Sequence, residues 1–429
     1  LIEEFAMTVA EVTPTKPVAK KAAGLGLDVP LLLSVGALLL FGLMMVYSST
    51  FDWSYRAFDN PAEVFLRQLM WAGVGLAGLV VAARMDYHRW RILALPLMGV
   101  TVLLLLWVLL FGATRFNAQR ALFNGSVQPS ELAKFAIIIY LSVWLASKGE
   151  KIRTVGYGLI PFGVIVGFLF GLIILQPDLS AGITIVVIAS LLFFVAGADW
   201  KQILAAIVVG ALTVAILVQL PISAAETGRQ RLSEYIVGLQ DIRSASWHVQ
   251  QAAVAFVQGG WFGRGLGQSH QKFIALPTPH TDSIFAIIGE ELGLFGCAIV
   301  IVLFGIFIWR GYKIAAQARD ALGAALAAGI VCWIAFEALV NIAVMVGAMP
   351  FAGNALPLIS YGGSNLVMTL VSVGVLLNIA RRTEAEPMVR RNRFVGAIHE
   401  EARREAKENA AFDLSRRDGR RRVSRPGRK

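Results

Sequence analysis

A chain of 429 residues could hold two or three soluble domains, but 57% hydrophobic residues, 16% charged ones and a mean hydropathy of +0.66 exclude them, because a soluble domain carries about 25% Asp, Glu, Lys and Arg. The net charge of +11 is concentrated: residues 381–429 hold 16 Lys and Arg against 8 Asp and Glu, and the other 380 residues are nearly neutral. That distribution speaks against nucleic acid as a partner and for a polytopic membrane protein with a basic tail.

Residues 1–6, ahead of Met7, read as an expression remnant, and the first 28 residues lack an apolar h-region. No cleavable signal peptide is expected, so the first apolar segment is retained as a span. A hydrocarbon core of about 30 Å needs roughly 20 apolar residues per helix. About ten such runs occur, near 29–50, 65–83, 91–112, 131–147, 156–175, 180–197, 201–220, 283–309, 320–348 and 355–380. The fifth and sixth are separated by a polar hairpin at 176–179. Lys16, Lys20 and Lys21 precede the first span; Arg84, Arg89 and Arg91 follow the second; Lys148, Lys151 and Arg153 follow the fourth; Arg310, Lys313 and Arg319 follow the eighth. All fall on one side if both termini are cytoplasmic. The expected architecture is all-α: a cytoplasmic segment 1–28, a membrane domain 29–380 and a basic cytoplasmic tail 381–429. The loop 221–282, between the seventh and eighth spans, is then extracytoplasmic. Its helical pattern near 245–257 and its basic and aromatic residues predict an ordered segment along the outer membrane surface. Cys297 and Cys332 lie in apolar runs and offer neither a disulfide framework nor a thiolate metal site.

Ionisable groups at membrane depth are costly and mark substrate paths. Four clusters stand out. Gln128-Pro129-Ser130-Glu131-Leu132-Ala133-Lys134 opens the fourth span, with Glu131 and Lys134 spaced to pair and Ser130 placed to cap. A salt-bridged helix start without chemistry is the competing interpretation. Asp178 lies in the short hairpin, where Asp is also common for local hydrogen bonding. His280-Thr281-Asp282 re-enters the membrane after the long loop and leads to Glu290, although Thr281 or Asp282 could simply cap the eighth helix. The fourth cluster is Asn341, Gly347, Pro350, Gly353, Pro357 and Ser360-Tyr361-Gly362-Gly363-Ser364-Asn365, whose glycines serve packing as well as function. Gly263-Arg264-Gly265-Leu266-Gly267 follows no strand, so it reads as a hinge or an anion-binding nest rather than a nucleotide loop.

Asn341, Gly347, Pro350, Gly353 and the run Pro357-Leu358-Ile359-Ser360-Tyr361-Gly362-Gly363-Ser364 together resemble the signature of the SEDS family (shape, elongation, division and sporulation). The stretches 128–134, 176–179, 263–267 and 280–293 match other family landmarks in the same order, so the resemblance covers about 28–382. Val46-Tyr47-Ser48-Ser49 and Ile379-Ala380-Arg381-Arg382 lean towards its division branch. The resemblance implies a peptidoglycan glycosyltransferase of the bacterial cytoplasmic membrane that polymerises lipid II at the septum beside a class B penicillin-binding protein and other divisome proteins. It maps the family's essential aspartate onto Asp282, its outer-loop arginine onto Arg120 and its fourth-helix lysine onto Lys134. Thr278-Pro279 before the His-Thr-Asp run, Ser283 after it, Ala121 after Arg120, and Ala348, Ala352 and Asn365 depart from the family's commoner residues.

Such chemistry needs a base for a sugar hydroxyl and positive charge, or a metal, for a departing pyrophosphate. Asp282 is the expected base, or else the ligand of a divalent cation such as Mg2+ or Mn2+. No organic cofactor is expected. Arg120, Lys134, Arg264 and Lys272 are the candidates for pyrophosphate. Gln128, Ser130, Glu131, Asp178, His280, Thr281, Glu290, Ser360 and Ser364 are expected to contact substrate. A flippase of the lipid-linked precursor would place its polar groups near the bilayer midplane rather than at the outer face, and a non-catalytic divisome scaffold would leave Asp282 and Lys134 without a purpose. Both rank below the enzyme. The basic tail is expected to anchor the cytoplasmic side and touch anionic lipid or a division partner.

Overall fold

A computed structural model describes residues 28–111, 114–115, 118–119, 128–199, 201–202, 204–206, 208, 210, 223–274, 276 and 279–384. Arg120, most of the seventh expected span, Pro277, Thr278 and the basic tail after Glu384 lie outside these residues. The described helices are α1 (Val29–Phe58), α2 (Glu63–Arg84), α3 (Trp90–Phe111), α4 (Pro129–Lys148), α5 (Ile160–Ile174), α6 (Leu179–Val195), α7 (Ser223–Gly238), α8 (Trp247–Gly259), α9 (Ile284–Gln317), α10 (Ala321–Met345) and α11 (Gly363–Glu384). The strands are Thr114–Arg115 and Ala118–Gln119, which pair in one small antiparallel hairpin.

Among the described residues eight helices, counting α3 from Tyr87 and α5 from Val155, are long and apolar enough to cross a membrane, and α6 is a shorter apolar helix. The chain is a multi-pass membrane protein. Large apolar side chains exposed on α1, α2, α3 and α9, such as Leu40, Val81, Ile92, Leu103, Ile301 and Val302, face what lipid covers.

The cations of the α2–α3 and α9–α10 connections gather at one end of the bundle. There the α2–α3 connection, the α9–α10 connection and the end of α11 meet: Tyr87 donates its hydroxyl to Asp320 at 2.9 Å, His88 approaches Asp320 at 3.1 Å, and Arg382 pairs with Asp86 at 3.0 Å. At the same end the Asp28 carboxylate caps α1 through Leu31 N and is clamped by Arg310 at 3.0 and 2.5 Å, a forked pairing that a guanidinium makes well. The opposite helix ends, those of α1, α2, α4, α6 and α10, surround the polar residues discussed below.

Two expected spans are not simple helices. The eighth, expected over 283–309, runs to Gln317 and is broken at Gly293, which adopts φ 67 and ψ −167. The backbone groups freed by the break are met by the glycine cluster of the long loop. Leu294 N and Phe295 N donate to Gly260 O and Trp261 O, while Arg264 N and Gly265 N donate to Glu290 O and Glu291 O. An apolar environment demands such internal pairing. A Cβ on Gly263 or Gly293 would collide with the other strip's backbone. The 263–267 cluster is thus the partner of a broken helix rather than an anion nest.

The tenth span, expected from 355, begins only at Gly363. Residues 346–362 instead descend between the helices: Leu358 and Ile359 press on Gly42, 16 residues before the end of α1 and so about 24 Å along its axis. Gln68 of α2 supports this segment, donating to Ser360 O and accepting from Gly362 N, both at 3.3 Å. Apolar Leu356, Leu358 and Ile359 mimic a span in sequence, but Pro357 and Leu358 at φ 66 hold a turn.

Candidate functional site

Pro129 fits the first turn of α4 because its missing N–H costs nothing there, and the helix that follows turns Glu131 and Lys134 inward. Lys134 Nζ lies 2.7 Å from Glu131 Oε1, pairs also with Glu337 of α10, and rests 5.5 Å from the Trp333 ring. Asn365, on the first turn of α11, donates to Glu131 at 2.9 Å and to Glu337 at 3.4 Å. Lys134 is 3% exposed. One ammonium between two carboxylates leaves the group one negative charge in excess if all three are ionised, so this is an acidic cluster rather than a phosphate-binding cation.

Asp178 caps α6 through Ala181 N at 3.3 Å, and its other oxygen accepts from Gln128 Nε2 at 3.0 Å and Ser130 Oγ at 3.1 Å. Ser130 therefore donates to Asp178 and does not cap α4. Gln128 N donates to Ser364 Oγ at 3.0 Å, joining the starts of α4 and α11.

The His280–Asp282 turn is held from two sides. Tyr361 N donates to His280 O at 2.8 Å, Ser360 Oγ to Thr281 O at 2.6 Å, and Asn341 Nδ2 to Asp282 O at 2.8 Å. The N-cap of α9 is Ser283, so neither Thr281 nor Asp282 fills that position. Asp282 stands just before it, in the positive field of a helix N-terminus. A Cβ on Gly353 would come within 3.3 Å of Asp282 Oδ2, so the carboxylate lies against bare backbone. On α10, Trp333, Glu337 and Asn341 recur every four residues and so share one face. The same stripe supports Lys134 and fixes the Asp282 turn. His280 is buried enough that desolvation pushes its imidazole down to about 4, and among the described residues its Nδ1 has no hydrogen-bond partner.

One cavity of about 1090 Å3 collects these elements. Its lining includes Gln128, Glu131, Lys134, Asp178, Lys272, His280, Thr281, Asp282 and Ser364 of the expected residues. Ser130 and Ser360 stand behind the wall, bonded to Asp178 and to the Thr281 carbonyl. Glu290 and Arg264 are not in the lining. Glu290 is fully buried and accepts from Ser269 Oγ, His270 N and Gln271 N, with Arg264 3.8 Å away. Its role is to hold the re-entering loop. Lys272 touches the cavity, but its ammonium is taken up by Glu291 Oε1 at 2.7 Å, Gly267 O at 2.9 Å and Ser48 O at 3.0 Å. Its geometry does not fit the phosphate contact expected of it.

Sequence reasoning passed over several lining residues. Glu337 is a carboxylate inside an apolar span and should have been found by the rule that selected Lys134. Arg56 and Arg67 carry the exposed positive charge of the lining, and pair with Asp52 at 2.9 Å and Glu63 at 3.0 Å. As ordinary helix-end cations they gave no signal. Trp53, Tyr361 and Asn354 complete the upper wall. Among the described residues no group of three His, Cys, Asp or Glu could hold a metal ion.

Comparison with known proteins converges on one group. A family profile described as "Cell cycle protein" and covering FtsW, RodA and SpoVE matches residues 30–385. A protein of Trichlorobacter lovleyi named "Probable peptidoglycan glycosyltransferase FtsW" is 38% identical over 365 residues, 84% of this chain and 95% of that protein. Stage V sporulation protein E of Bacillus subtilis is 38% identical over 358 residues, 82% of this chain and 97% of that one. Among solved structures, the rod shape determining protein RodA of Thermus thermophilus superposes with a TM-score of 0.62 at 26% identity, over 84% of this chain and 99% of that chain. A chain from a structure titled "Structural coordination of polymerization and crosslinking by a peptidoglycan synthase complex" gives 0.68 at 26% identity, over 85% and 100%.

Proposed function

The chain belongs to the FtsW, RodA and SpoVE family of cell cycle proteins, and from that premise we propose that it is the peptidoglycan glycosyltransferase of the division branch, polymerising lipid II at the septum. It works in the bacterial cytoplasmic membrane with a class B penicillin-binding transpeptidase and other divisome proteins. The observation that carries this reading is the cavity itself. A carboxylate carried on a turn held by three hydrogen bonds to its backbone, an acidic cluster below it and two exposed arginines at its rim share one space.

In the reaction the 4-hydroxyl oxygen of an N-acetylglucosamine attacks the anomeric carbon of a lipid-pyrophosphate-linked sugar. The new C–O bond forms as the bond to pyrophosphate breaks, and the anomeric centre inverts. Asp282 accepts the hydroxyl proton, because a base must stand within hydrogen-bond reach of the proton it takes. Arg56 and Arg67 receive the pyrophosphate. Their present pairings are exposed and hold them by about 0–1 kcal/mol, so phosphate oxygens displace Asp52 and Glu63 readily. Lys134 does not meet the phosphate; Glu131 and Glu337, themselves bonded by Asn365, hold it as the floor beneath the reacting sugars. The described residues offer Mg2+ or Mn2+ no protein cage, and no step here is routed through a metal.

The test is glycan formation from lipid II by the purified chain with its transpeptidase partner. Asp282→Asn keeps the shape and removes the base, and polymerisation is expected to fall at least 100-fold, since general base catalysis contributes about 10²–10⁴. A normal rate in that variant would overturn the assignment.

A further inference from the structure

Trp53 lies near the end of α1, one turn beyond the Val46–Ser49 run. Its indole stacks on the His280 imidazole with ring centroids 5.3 Å apart and planes 18° from parallel. Tyr361 meets the same imidazole edge-on at 5.6 Å. All three rings line the cavity beside Asp282, two residues on from His280. Trp53 is 49% exposed, and Phe58 meets it in an edge-to-face contact with centroids 5.9 Å apart. A half-exposed indole lining a cavity walled by carboxylates, amides and arginines suits an amphipathic ligand. Pyranose rings are such ligands: their axial C–H groups form an apolar face, while the hydroxyls around the rim hydrogen-bond.

We propose that Trp53 is a stacking platform for the acceptor sugar, on which the pyranose lies with its attacking hydroxyl turned to Asp282. The acceptor rather than the donor is assigned because its hydroxyl must reach the base, and Asp282 follows the stack by two residues. The imidazole fixes the indole plane, as a packed neighbour locks the rotamer of a binding residue. A neutral imidazole serves this purpose without placing a cation against the sugar, in agreement with the burial of His280. The assignment rests on the glycosyl-transfer reading above.

The experiment measures initial rates of lipid II polymerisation against lipid II concentration, by the full chain with its transpeptidase partner. Trp53→Leu keeps bulk and loses the aromatic face, and its KM is expected to rise about tenfold, equivalent to about 1.4 kcal/mol, with kcat within threefold of the parent. Trp53→Phe keeps a smaller face and is expected to recover most of the affinity. Products made by Trp53→Leu at a fixed lipid II concentration are expected to be shorter. An unchanged KM in Trp53→Leu, or a loss confined to kcat, overturns the platform, since a merely structural tryptophan would disturb Asp282 at every substrate concentration. Equal KM values for the Leu and Phe variants overturn it as well. If the parent chain makes no glycan under the same conditions, the polymerase reading itself fails. If the parent polymerises and Trp53→Leu matches it, only the platform fails.

Discussion

Among the described residues the side chains of Lys134 and Lys272 are buried, and they differ in what surrounds them. Lys272 gives its three donors to a carboxylate and two backbone carbonyls, from α9, the long loop and α1, and it also faces the Phe51 and Phe273 rings at 5.4 and 5.1 Å. Its charge is balanced one to one by Glu291. Lys134 meets two carboxylates and a ring, and among the described residues its third donor has no partner. The first arrangement is closed and holds three segments together. The second is left open in both charge and hydrogen bonding, and it forms part of the cavity wall. Two buried ammonium groups, one on a long helix and one in the re-entering loop, thus read as a rivet and a site, and the distinction lies in the accounting of donors rather than in burial.

Substitutions separate the two. Lys134→Met strands two buried carboxylates, and removing one partner of a buried pair costs about 3–5 kcal/mol. Thermal stability and polymerisation should both collapse. Adding Glu131→Gln and Glu337→Gln should restore the melting temperature but leave polymerisation at least 100-fold down. Lys272→Met should destabilise by a similar amount, yet Lys272→Met with Glu291→Gln should recover both stability and most of the activity. Equal behaviour of the two rescued variants would erase the distinction.

A smaller effect is expected at the stitched helix. Gly263→Ala places a methyl against the Glu291 backbone at a positive φ. It should cost about 1–3 kcal/mol of stability, read as a lower melting temperature. Arg264→Ala next to it contributes only a distant pairing and should change the melting temperature by less than a quarter as much.

His280 offers a third kind of buried base, one with no counter-charge among the causes of its shift. Its folded pKa, about 4, lies below the ordinary 6.5, so the unfolded chain binds the proton first. Stability is therefore unaffected above pH 6.5 and declines as pH falls from 6.5 towards 4. His280→Phe should flatten that part of the melting-temperature profile, with the smallest effect of the three at neutral pH.

Much of the site was legible because intramembrane polar residues are rare enough to stand out. Gln128, Glu131, Lys134, Asp178 and Asp282 were found by that logic, and the cavity brings them together. Other features were obscured for identifiable reasons. Glu337 has no motif around it, and its partners come from helices distant in sequence. The break at Gly293 is invisible to hydropathy, because both limbs of α9 are apolar and the repair is made by backbone atoms, which no residue type announces. Residues 355–362 read as a membrane helix because their apolar content is set by depth, not by helicity. In the same way, Glu290 and Lys272 carry the residue types of a substrate site, but saturated hydrogen bonding gives them structural tasks.

The stitch at Gly293 also bears on the order in which the chain is made. Gly263 leaves the ribosome 30 residues before Gly293, so the mending strip is always synthesised ahead of the break it mends. The ring to be closed is short, and its entropic cost grows only slowly with length. A newly inserted α9 therefore meets its partner strip as soon as the half-helix emerges, without waiting for α10 or α11. The Asp282 turn, at the start of that half-helix, then waits on the later helices for its own supports: Asn341 and Ser360 arrive last, and the turn is set only when synthesis of the bundle is nearly complete.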